Sequence, residues 1–287
     1  MMKQKTIQPM ILPVLLIAGV ACTTKPAEHT SGETEVETEA TVATSKIVGK
    51  EITYATDTTT MKGYIAYDEG IEGKRPGILV VHEWWGHNAY ARKRAEMLAE
   101  LGYVTLAVDM YGEGQTASHP DDAGKFAMSV MSNIEAGKAR FVRAMEELKS
   151  HPQVDSARIG AIGYCFGGSV ALSMANMGLD LDAVAAFHSG VKLPAMPEAG
   201  KLKAKVLVCN GAEDSFVPPE SVEAFKKAMD HVQADYQYIA YEGAVHSFTS
   251  PDADSLGKQF NLPLAYNAEA DQQSWEAMKS LFESVFE

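Results

Sequence analysis

Residues 163–168 read GYCFGG, with Gly163 and Gly167 two positions either side of Cys165. A buried-looking strand, RIGAIGYC, runs into this segment and a helix, GGSVALSMANMG, leaves it. A chain turning this sharply from strand to helix crowds the residues flanking the turn, so glycines are needed there. The residue at the apex is then held out as a nucleophile. The helix N-terminus adds partial positive charge, which favours a thiolate. A thiol nucleophile needs an imidazole beside it, and the imidazole needs a carboxylate to orient it.

At such a turn the acid and the histidine follow the nucleophile in that order. Two loops supply them. NGAEDSFVP (210–218) places Asp214 just beyond an apolar strand, and EGAVHSF (242–248) places His246 just beyond another. Glu213 adjoins Asp214 and competes with it on sequence grounds. Asp109 ends an earlier strand, ahead of the cysteine, and so has the wrong order.

These residues need a scaffold that presents strand ends together. From Lys46 the chain alternates apolar runs with helical periodicity. KIVGKEITYA and MKGYIAYDE alternate as half-exposed strands, with TDTTT as the turn between them. PGILVVHE, YVTLAVDMYG, RIGAIGYC, LDAVAAFHSG and AKVLVCNG read as strands buried on both faces, and DYQYIAYEG as a further strand. The intervening helices include NAYARKRAEMLAELG, with Ala91, Ala95, Leu98 and Leu101 on one side. The segment from Lys125 to His151 reads as helical with a break near Ser132–Asn133, and a last helix spans about 268–286. This order specifies an α/β fold, a mainly parallel sheet with helices on both faces. Sites in such sheets lie beyond the carboxyl ends of the strands.

The segments VVHEWWG (80–86), DMYGEG (109–114), GYCFGG, NGAEDSFVP and AVHSF together resemble the dienelactone hydrolase family, over essentially residues 52–287. The resemblance implies an α/β-hydrolase fold, Cys165 as nucleophile, Asp214 as orienting acid and His246 as base. It also implies a part for Glu83 in setting the state of the thiol. An idle carboxylate just past a buried strand would be costly, which agrees. The backbone N–H groups of Trp84 and Phe166 are the expected oxyanion hole. Family members bind a substrate carboxylate through arginines, one of them shortly after the histidine. Here SFTSPDAD follows His246 without an arginine, and Lys125 is the only cation near DDAGKFAMSV. A lysine point charge does not replace an arginine fork. That points away from a dienelactone and toward an uncharged ester, thioester or lactone. A cysteine peptidase on the same scaffold and a non-catalytic envelope lipoprotein are the alternatives.

The net charge of −13 argues against a phosphate-binding surface, so no nucleic acid is expected. No His/Cys spacing suggests a metal and no glycine-rich loop a nucleotide, so no cofactor is expected. Residues 1–21 have Lys3 and Lys5 ahead of an apolar run, as an export signal does. Cys22 follows at the cleavage point and resembles a lipidated cysteine, although Gly19 stands where the lipobox has leucine. Residues 22–45 are Thr/Glu-rich and read as a disordered tether, leaving 46–287 as the catalytic domain. The protein is therefore expected to be exported, either free in the periplasm or anchored to the membrane through Cys22. A free nucleophile leaves Cys165 and Cys209 without a disulfide between them.

Overall fold

The computed structural model describes residues 45–287. The signal segment, Cys22 and the tether up to residue 44 lie outside the described residues. The two alternating segments form β1 (Ile47–Ala55) and β2 (Thr60–Asp68), an antiparallel hairpin in which Ile47 pairs with Asp68. The apolar runs form β3 (Arg75–Val81), β4 (Val104–Val108), β5 (Val154–Tyr164), β6 (Ala183–Phe187) and β7 (Lys205–Gly211), followed by β8 (Tyr236–Tyr241). All eight strands make one sheet in the order β1-β2-β4-β3-β5-β6-β7-β8. β2 meets β4 antiparallel, and every pairing from β4 to β8 is parallel.

The helices are α1 (Ala89–Glu100), α2 (Pro120–Met131), α3 (Ile134–Ser150), α4 (Phe166–Asn176), α5 (Pro219–His231), α6 (Ala253–Phe260) and α7 (Ala268–Phe286). Successive strand residues point to opposite faces, so each central strand feeds two cores. Leu79, Val81 and Ala161 pack with Phe141 of α3, Val170 of α4 and Phe225 of α5. Ile78, Val80 and Ile162 pack with Leu98 of α1 and Met278 and Phe282 of α7. The chain breaks between α2 and α3 at Ser132–Asn133, where the Asn133 side chain caps α3 by accepting from Ala136 N.

Two local expectations are corrected. The buried stripe of α1 is Ala91, Arg94, Ala95, Leu98 and Ala99, whereas Leu101 is the C-cap and 40% exposed. The helix ends one residue before Leu101, which rotates it out of the stripe. Helix α6 lies in a segment that had no assigned element. It is only eight residues long and contains Gly257, where a Cβ would press on the Leu264 carbonyl. Ala253, Leu256, Gly257 and Phe260 share one side of it, with Phe260 against Trp85.

Candidate active site

Cys165 follows β5 directly, with φ 53° and ψ −118°, in the region L-residues seldom adopt. Such a conformation costs about 1–3 kcal/mol and persists only when its surroundings hold it. Cys165 N donates to Phe187 O at 2.9 Å, and Cys165 O accepts from Gly168 N and Ser169 N at 3.2 and 3.3 Å. A Cβ at Gly163 would overlap the Gly167 carbonyl, and one at Gly167 the carbonyls of Val81 and His82. The two glycines therefore let strand and helix close on each other. Every residue of α4 is buried, so the turn sits on a fixed helix.

Asp214 lies three residues past β7 and His246 five past β8. His246 Nδ1 is 2.7 Å from Asp214 Oδ2, and its Nε2 is 3.1 Å from Cys165 Sγ. One imidazole thus bridges carboxylate and thiol. Burial alone would lower the pKa of His246, but the charge of Cys165 and the bonds to Asp214 and Cys165 outweigh it and drive it upward. Glu213 is exposed, whereas Asp214 is 5% exposed and faces His246. Asp109 is occupied elsewhere: its carboxylate accepts from the backbone N–H groups of Lys62, Tyr111, Gly112 and Gly114 at 2.7–3.0 Å.

Glu83 is 3% exposed and accepts from Ser247 Oγ at 3.2 Å. It therefore touches the residue after His246, and among the described residues no hydrogen bond joins it to Cys165. Burial raises its pKa to about 7, with His246 and Ser247 pulling the other way. The loop that carries it is tied down on both sides. Tyr111 Oη donates to Trp84 O at 2.9 Å, and Met110 N donates to His82 Nε2 at 3.2 Å. Burial holds the pKa of His82 down at about 4, so it is a neutral strut. The amides of Trp84 and Phe166 have no acceptor among the described residues. Phe166 is the first residue of α4, where an N–H has no helical partner in any case. Trp85 is buried against Trp84 and Phe260, in a packing role.

A cavity of about 290 Å³ opens beside Glu83, walled also by Asn88, Ser118, Ser250 and Asp252, with no lysine or arginine in its lining. Lys125 lies on the surface with its ammonium bonded to Asp122 at 3.0 Å. Cys165 and Cys209 are both free thiols, and burial in β7 pushes Cys209 up to about 12. Among the described residues no group of three His, Cys, Asp or Glu is placed to hold a metal ion.

Residues 61–286 match the model of the dienelactone hydrolase family. The chain belongs to that family. A relative described as a putative carboxymethylenebutenolidase, from Synechocystis, is 26% identical over 242 residues, covering 77% of this chain and 91% of its own. Among solved structures, one described as m3DLH is 38% identical with a TM-score of 0.80 and covers 84% of this chain. A dienelactone hydrolase-like promiscuous phosphotriesterase from metagenomic libraries is 34% identical with a TM-score of 0.78. This chain covers 99% of each of those two structures. The α/β-hydrolase fold and the assignment to hydrolases of ester and lactone bonds follow from that family membership.

Four residues near the site had no role on sequence grounds: His188, Thr249, Arg94 and Ser247. Only Arg94 left a trace in the sequence, as a charge at the spacing of the apolar stripe of α1. The others are polar loop residues whose partners lie far away in the chain.

Proposed function

We propose that this family member hydrolyses an uncharged ester or lactone through a Cys165–His246–Asp214 triad and an acyl-thioester intermediate. The observation that carries the proposal is the single imidazole spanning Asp214 Oδ2 and Cys165 Sγ at 2.7 and 3.1 Å. His246 takes the thiol proton, and the sulfur attacks the carbonyl carbon. The carbonyl oxygen becomes an oxyanion facing the free amides of Trp84 and Phe166. The tetrahedral species collapses, the C–O bond breaks, and the imidazolium gives its proton to the leaving alkoxide. A water then attacks the thioester with His246 as base, the C–S bond breaks, and the acid leaves. With a lactone, the alcohol stays attached to the acyl chain.

The preference for an uncharged substrate rests on the segment SFTSPDAD after His246, which has no arginine, and the cavity beside Glu83 agrees with it. Its lining carries the carboxyls of Glu83 and Asp252 and no lysine or arginine, so it offers a substrate carboxylate no ion pair. Lys125, the nearest candidate in the sequence, is already paired with Asp122. We further propose that Cys22 is lipidated and tethers the domain to the membrane of an exporting bacterium. The mass of the mature N-terminus tests that; an unmodified Cys22 would overturn it.

The catalytic test is mass spectrometry of the protein quenched during turnover of an activated aryl ester. An acyl adduct is expected on Cys165, with turnover falling on the order of 10⁶-fold in Cys165→Ala. Unchanged turnover in Cys165→Ala would sink the proposal.

A further inference from the structure

The backbone that carries His246 is strained, and something must hold it. Ser247 has φ 58° and His188, at the end of β6, has φ 38°. Both lie in the left-handed region that side chains disfavour, and such residues persist only where contacts over-determine them. The imidazole of His246 stands between two rings. Phe216 is 4.9 Å away and His188 5.4 Å away, both edge-on. Its two nitrogens are set by Asp214 and Cys165, and these rings set its plane.

Behind this arrangement runs a buried chain of donors. Arg94 is 4% exposed, and its Nη2 donates to Asp271 Oδ1 at 2.6 Å and to Thr249 O at 2.7 Å. Its Nε donates to Tyr90 Oη at 3.1 Å. The single Tyr90 O–H is then turned toward Thr249, with Oη 2.6 Å from Thr249 Oγ1. Thr249 Oγ1 is also hydrogen-bonded to His188 Nε2 at 2.7 Å. Thr249 is thus gripped at both carbonyl and hydroxyl, three residues after His246. The guanidinium of Arg94 is itself fixed over the rings of Tyr90, Tyr164 and Trp275 at 5.3–5.4 Å.

We propose that Arg94, Tyr90, Thr249 and His188 form a positioning chain that holds His246 between Asp214 and Cys165. Thr249 is its keystone. From α1 and α7 the chain clamps the loop past β8, and through His188 it fixes the face of the catalytic imidazole. His188 has to be neutral for this, since a second imidazolium beside His246 would repel it; burial, the charge of His246 and that of Arg94 hold it so. The charged and titratable groups facing His246 are Cys165 from the elbow, Asp214 after β7, His188 after β6 and Glu83 through Ser247. The proposal rests on the Cys165 chemistry above but is tested apart from it.

Thr249→Val keeps the shape of the side chain and the carbonyl contact to Arg94 while removing both hydroxyl bonds. With an aryl ester, kcat should fall about 10- to 100-fold with KM nearly unchanged, the scale on which misplaced catalytic groups lose rate. The pH profile of Cys165 alkylation by iodoacetamide should move to higher pH, because a loosened imidazolium stabilises the thiolate less. Thr249→Ser, which restores the hydroxyl, should recover both readouts. A merely structural threonine would lower Tm and leave the alkylation profile in place. Thr249→Val with wild-type kcat and a wild-type profile would overturn the positioning chain, even if Cys165→Ala is inactive. Turnover surviving in Cys165→Ala would instead overturn the triad, leaving the alkylation profile to judge the chain.

Discussion

Replacing Glu83 by glutamine removes a buried ionisable group and changes little else. The carboxyl is 3% exposed and accepts one hydrogen bond, from Ser247 Oγ at 3.2 Å, which a glutamine oxygen also accepts. Burial raises its pKa from 4.5 to about 7. In the unfolded chain the same carboxyl ionises near its ordinary value. Between these two pH values the unfolded state has released a proton that the folded state still holds. The stability linked to Glu83 is therefore fully present below about pH 4.5 and is lost as pH rises through about 7. At 1.36 kcal/mol per pH unit, the loss is about 3 kcal/mol. Glu83→Gln cannot ionise and escapes it. Urea unfolding of both proteins at intervals from pH 4 to 8 measures the gap directly. The variant is expected to match wild type near pH 4 and to exceed it by about 3 kcal/mol at pH 8, or roughly 6–12 °C in Tm. A gap that does not widen with pH, or a variant weaker than wild type at pH 8, would refute the account of Glu83 as a carboxyl held against its ionisation.

Asp214→Asn should lower kcat about 10⁴-fold with little change in KM, because an amide can hold His246 in the wrong tautomer. Steady-state kinetics on an aryl ester checks this, and a loss below tenfold would mean that Asp214 does not orient the base. Asp109→Asn should lose about 3 kcal/mol in urea unfolding, since an amide has one oxygen where four backbone N–H groups now converge on a carboxylate. An unchanged midpoint would show that this turn does not depend on the charge.

The apolar runs and their order were enough to specify an α/β sheet, because a strand buried on both faces has to be apolar throughout. The glycines about Cys165 were legible for a similarly local reason. The turn tolerates no Cβ at Gly163 or Gly167, and that requirement is written in the residues themselves. Order along the chain was enough to nominate Asp214 and His246, since each follows a strand that must end at the same edge of the sheet. The break at Ser132–Asn133 and the helix over 268–286 were likewise local signals. What the sequence left open depends on distance in space. Glu213 and Asp214 are neighbours in the chain, and only folding turns one outward and the other onto His246. Glu83 was nominated, yet its partner, Ser247, lies 164 residues away. Arg94 and Thr249 are 155 residues apart and meet only because α1 packs behind the loop after β8. Polar contacts of this range leave no periodicity in the chain. The sharp turn at Cys165 was therefore visible in its flanking glycines, while the contacts made around His246 were decided by the tertiary structure.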